Sequence, residues 1–78
     1  MKIENTVETR ESWTPLEAAL SRQQCVDFLW VGSVGTKQLY KHMDTHRYLM
    51  IDAATGMFYD ELNHPFSKEA AINYVLSC

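Results

Sequence analysis

A chain of 78 residues, 46% hydrophobic and 22% charged, holds material for one compact core and excludes two. A chain this short buries only about 60–65% of the surface its unfolded form exposes, and the apolar content is well above that of disordered segments. The net charge of −3 disfavours generic binding to duplex nucleic acid or to an anionic membrane, since both call for a basic surplus.

Residues 1–12 alternate acids (Glu4, Glu8, Glu11) with Lys2 and Arg10 and show no helical or strand period, so they read as a flexible leader. Ile3 and Val7 leave room for an added edge strand. Residues 13–78 read as one small α+β domain.

Thr14-Pro15-Leu16-Glu17 predicts a helix start, with Thr14 as cap, Pro15 in the first turn and Glu17 returning a bond. The helix is expected to end near Cys25 to Asp27, with Leu16, Ala19 and Leu20 on its apolar stripe.

Four strands are then expected. Phe28 to Val31 is aromatic and β-branched, and Gly35-Thr36 suits a hairpin reversal. Gln38 to Met43 is the second strand, reversed at Asp44-Thr45, and His46 to Ile51 the third. Ala53 to Gly56 forms a turn with Gly56 at positive φ, and Met57 to Leu62 is the fourth strand. A first helix continuing through Trp30 is the alternative and leaves three strands. Asn63-His64-Pro65 breaks the sheet, and Ser67 caps a last helix to about Leu76.

The fold class is therefore α+β: a short antiparallel meander of three or four strands flanked by an N-terminal and a C-terminal helix. Its two turns set Lys41 opposite Tyr48, Leu39 opposite Met50, and Met50 opposite Tyr59. One face then carries Leu39, Lys41, Met43, His46, Tyr48, Met50, Met57 and Tyr59. The other carries Tyr40, His42, Arg47, Leu49, Ile51, Phe58 and Asp60. Two short helices cover one face well but not both. The Tyr/Met face suits a half-wet surface, so Tyr48, Met50, Met57 and Tyr59 are partner-binding candidates, with Phe28 and Trp30 as an aromatic edge. The competing reading makes these residues core.

Lys37, Lys41, His42, His46 and Arg47 crowd one hairpin with Asp44 as its only acid, and Tyr40 and Tyr48 interleave them. That pattern can seat phosphate and stack bases, which makes single-stranded nucleic-acid binding through residues 37–48 the alternative function. A solvated hairpin tip explains the same residues.

His42 and His46 span a reversal without a partnering Cys or Asp cluster, so no metal is expected, and nothing calls for a cofactor. The two cysteines, Cys25 and Cys78, match neither a zinc spacing nor a redox pair and read as free thiols. The longest apolar run, Phe28 to Val31, cannot span a bilayer, and the N-terminus carries no signal-peptide core. The expected location is cytoplasmic.

Ser33 does not sit in a nucleophile elbow, and no acid–base pair is placed by local spacing. The function expected is that of a non-catalytic protein-binding module, a small regulator or inhibitor docking on a larger partner. Base rates for short acidic chains point to phage or mobile-element accessory proteins, such as inhibitors of a host defence or nucleic-acid-binding complex. Homodimerisation through an uncovered sheet face or free edge is the simplest version.

Overall fold

The computed structural model describes residues 3–77. Cys78, expected to be an unpaired terminal thiol, and Met1 and Lys2 of the leader lie outside the described residues. A 3-10 turn, Arg10–Ser12, leads into two short helices, α1 (Thr14–Ala19) and α2 (Arg22–Cys25). Five strands follow in an antiparallel meander: β1 (Phe28–Val34), β2 (Lys37–His42), β3 (Tyr48–Asp52), β4 (Phe58–Tyr59) and β5 (Pro65–Phe66). Helix α3 (Lys68–Leu76) closes the chain.

The expected single N-terminal helix is broken in two. Leu20 is extended at φ −124°, and Ser21 starts α2 through a capping box. The Gln24 amide donates to Ser21 Oγ at 3.3 Å, and the Ser21 amide donates to Gln24 Oε1 at 3.1 Å. These reciprocal bonds satisfy two amides that a restarted helix would otherwise leave free. The break lets Leu20 and Cys25 both reach the core.

Thr14 is not the cap of α1. That position belongs to Trp13, and the Thr14 hydroxyl donates back to the Arg10 carbonyl at 3.4 Å. The capping chemistry lies one turn earlier, where the Thr9 amide donates to Ser12 Oγ at 2.9 Å. At α3 the expectation matches, with the Ala70 amide donating to Ser67 Oγ at 3.1 Å.

The sheet has five strands rather than three or four. Pro65, expected to end it, instead pairs with Tyr59 while Phe66 pairs with Phe58. An outer strand needs no amide on its solvent side, so proline is tolerated there. The fourth strand is shorter than Met57 to Leu62 because Asp60 closes a turn, accepting the Leu62 and His64 amides at 2.9 Å each.

The register agrees with the one read from the turns: Lys41 opposite Tyr48, Leu39 opposite Met50, and Met50 opposite Tyr59. The β2–β3 reversal is a four-residue loop, Met43 to His46, with His46 left-handed at φ 64°. It is closed by the His42 amide donating to the Arg47 carbonyl at 2.8 Å. A bulge at Val31 shifts the β1–β2 pairing between Trp30 and Gly32.

All three helices lie on one side of the sheet. Leu16, Leu20 and Cys25 meet Phe28, Tyr40, Leu49, Ile51 and Phe58, and Ala71 and Val75 of α3 complete this core. The leader is not free of the domain over its described part. The amides of Glu4 and Asn5 donate to the Ser33 carbonyl at 2.8 and 3.2 Å, and the Ser33 amide returns a bond to Asn5 at 2.9 Å. This approach needs Gly32, because a Cβ there would strike Ile3 and lie 2.9 Å from the Asn5 carbonyl oxygen. Among the described residues, no helix is long and apolar enough to cross a membrane.

Candidate functional site

Strand alternation sends Leu29, Val34, Lys37, Leu39, Lys41, Tyr48, Met50, Met57 and Tyr59 to the side opposite the helices. Among the described residues no helix covers this side. Leu39 and Met50 are nonetheless buried; Ile3 lies against Gly32, the residue paired with Leu39, and the turn carrying Glu61 and Leu62 flanks Met50. Around them Tyr48 and Tyr59 are half-buried, while Leu29 is 53%, Met57 47% and Leu62 69% exposed.

Two lysines lie along the tyrosines of this face. Lys37 Nζ stands 4.1 Å from the centre of the Tyr59 ring, and Lys41 Nζ stands 5.9 Å from that of Tyr48. Lys37 also donates to Asn63 Oδ1. The turn after β4 thus folds back over the sheet. Between it and the start of β2 lies a groove of about 570 Å³, floored by Met50 and lined by Glu4, Val34, Lys37, Glu61 and Leu62.

The partner-binding candidates therefore divide. Tyr48, Met57 and Tyr59 share the uncovered face, with Met50 as a buried floor. Phe28 is 3% exposed and packs edge-on to His42 at 4.9 Å, so it belongs to the core. Trp30 packs on the helix side and donates from Nε1 to Gln38 Oε1 at 2.8 Å. Paired with His42 and Tyr40, both aromatic residues alternate onto the helix side, away from the open face.

The basic-hairpin candidates divide further. Lys37 and Lys41 stand on the open face. Tyr40 is fully buried and donates from its hydroxyl to the Ser12 carbonyl at 2.6 Å, so it presents no ring to a base. Burial pushes its hydroxyl pKa well above the ordinary tyrosine value. Arg47 is drawn to the opposite side by α3, donating to the Tyr74 carbonyl at 2.6 Å with its guanidinium 4.8 Å from the Tyr74 ring. His42 is buried and His46 exposed in the loop.

His42 and His46 do not combine. Instead Asp27, His42 and Asp44 bring their donor atoms within 4.8 Å of one another. The Met43 amide donates to the Asp27 carbonyl at 2.8 Å and so closes this end of the sheet. The Thr45 amide donates to His42 Nδ1 at 3.2 Å. In the neutral ring that bond leaves the proton on Nε2, and a metal at Nε2 would have to displace it. Asp27 is fifteen residues away from His42, so no local spacing could have signalled the cluster.

Other reactive groups are committed to structure. Asp52 accepts from Thr36 Oγ1 and from the Ala54 amide, each at 2.8 Å, and these bonds hold its carboxyl below the usual carboxylate range. Cys25 points its thiol at the Leu16 and Leu20 carbonyls at 3.6 and 3.8 Å, and burial, with Glu17 adding, raises its pKa.

No protein-family model, no curated protein and no solved structure matches this chain.

Proposed function

We propose that the chain is a non-catalytic protein-binding module, a regulator or inhibitor that docks on a larger protein through its uncovered sheet face. The observation that carries this reading is the one-sided layering. Every helix packs on the Tyr40/Leu49/Ile51 side, which leaves Leu29, Met57 and Leu62 exposed around two half-buried tyrosines on the other. Exposed apolar and aromatic side chains gathered on one face are what interfaces use. The acidic balance suits a partner with a basic groove, in keeping with an accessory protein of phage or mobile-element type. The thiol of Cys25, free among the described residues, suits a cytoplasmic setting.

A photo-crosslinking residue at position 48 tests the docking face in cells against the same residue at position 69, on the exposed side of α3. Adducts with another protein from position 48 alone are expected. They should vanish when Tyr59→Glu is added to the position 48 chain and it stays folded by circular dichroism. Equal adducts from both positions would sink the proposal, and unfolding of the variant would assign Tyr59 to the core.

The nucleic-acid reading retains Lys37 and Lys41, which both stand on the open face. Against it, each lies along the ring that a base would need. Fluorescence anisotropy with a labelled single-stranded oligonucleotide, repeated at rising salt, separates the readings, because phosphate contacts weaken steeply with salt.

A further inference from the structure

We infer that residues 3–5 form a displaceable strap over one end of the docking face, and that the partner binds the chain with this strap lifted from β1. The inference rests on the docking-face reading and adds its regulation. One row of residues crosses the open side of the sheet: Gly32 pairs with Leu39, Leu39 with Met50, and Met50 with Tyr59. In the middle of this row Leu39 and Met50 are each 2% exposed, although the helices pack on the other side.

The strap covers the Gly32 end of the row. Ile3 fills the space where a Gly32 side chain would stand. Glu4 continues the cover along the sheet: its Oε1 accepts from the Gly35 amide at 2.6 Å, and it lines the groove with Val34, Lys37 and Met50. Lifting the strap would open the groove toward Leu39 and join two buried apolar side chains to Tyr59. A partner gains most there, because interfaces concentrate their energy in a few well-packed, fully desolvated anchors.

The attachment suits a reversible cover. Its backbone bonds all meet at Ser33, whose carbonyl accepts from the Glu4 and Asn5 amides and whose amide donates to the Asn5 carbonyl. Residues 6–9 beyond it are exposed and form no strand. Segments with few buried apolar contacts and exposed backbone bonds open at far lower cost than the core. Gly32 is what admits the strap. The glycines at positive φ are Gly35 and Gly56, so the Gly32 backbone itself would accept a side chain. What excludes one is the space taken by Ile3 and the Asn5 carbonyl.

The test opens the strap from either side in the full chain. Gly32→Val fills the seat, and Ile3→Asp removes the apolar contact from the strap itself. Amide hydrogen exchange read by NMR should show the Ser33 amide losing protection while those of Leu49 and Ile51 keep theirs. Each variant is then combined with the photo-crosslinking residue at position 48. Adducts per chain should rise about threefold or more over the strapped chain, since apparent affinity scales with the fraction of chains in the competent state. If Ser33 is freed and the yield stays level or falls, the strap is no cover, while the docking face stands on the adducts of the strapped chain. If neither variant frees the Ser33 amide, residues 3–5 are not held by these contacts and the inference is overturned. If Leu49 and Ile51 lose protection in both variants, the segment is part of the fold rather than a cover, which overturns it equally. If no chain, strapped or open, gives adducts from position 48, the docking-face reading fails and the strap with it.

Discussion

The Tyr40 hydroxyl donates to the Ser12 carbonyl at 2.6 Å and so fastens the middle of β2 to the turn that precedes α1. The bond crosses the core, with the Trp13 ring 5.6 Å from that of Tyr40. It joins the N-terminal turn to the side of the sheet on which the helices pack. Tyr40→Phe keeps the packing but strips a buried carbonyl of its donor, which costs about 1–3 kcal/mol. The urea midpoint should fall with an unchanged m-value. A midpoint equal to wild type would mean that water or a shifted donor satisfies Ser12.

The two capping candidates at the N-terminal helices make opposite predictions. Ser21→Ala removes a bonded cap and should cost about 0.5–2 kcal/mol, a drop of several degrees in Tm for a domain of this size. Thr14→Ala removes only a long bond to the Arg10 carbonyl and should shift Tm much less. Thermal melts of both variants decide the matter, and the reverse order would restore Thr14 as the cap.

Asp52 ties the β3–β4 turn to Thr36, and its carboxyl is held below the ordinary range first by the Thr36 hydroxyl and then by the Ala54 amide. Because the folded-state pKa is depressed, the stabilisation is fully present above the unfolded carboxylate value, about 3.9. It is lost as pH falls through the lower folded value. Acid unfolding of wild type should thus steepen below about pH 4. In Asp52→Asn that part of the pH dependence should disappear, and stability at neutral pH should be lower. Acid titrations of wild type and variant that superimpose would expose the idea as wrong.

What the sequence determined by itself is local. The two-residue period of the strands and the turns at Asp44-Thr45 and Ala53–Gly56 set Leu39 against Met50 and Met50 against Tyr59, because register follows from turn length and side-chain alternation alone. Ser67 likewise marked its helix from adjacent residues. The break at Ser21 was legible as a serine followed three residues later by Gln24, but it competed with an apolar stripe that ran through it.

The remaining features joined distant parts of the chain. Pro65 became a strand residue because an open edge was waiting beside β4, and Ile3 to Asn5 settled where Gly32 let a backbone approach. Arg47 and Tyr40 carry charge and ring in a hairpin that reads as a binding surface. Tertiary packing assigned one to Tyr74 and the other to Ser12, since a buried carbonyl and a helix end satisfy their donors better than water does. Which face stays open was decided in the same way. Alternation sorts side chains into two sets, but only the packing of the helices selects the set to bury.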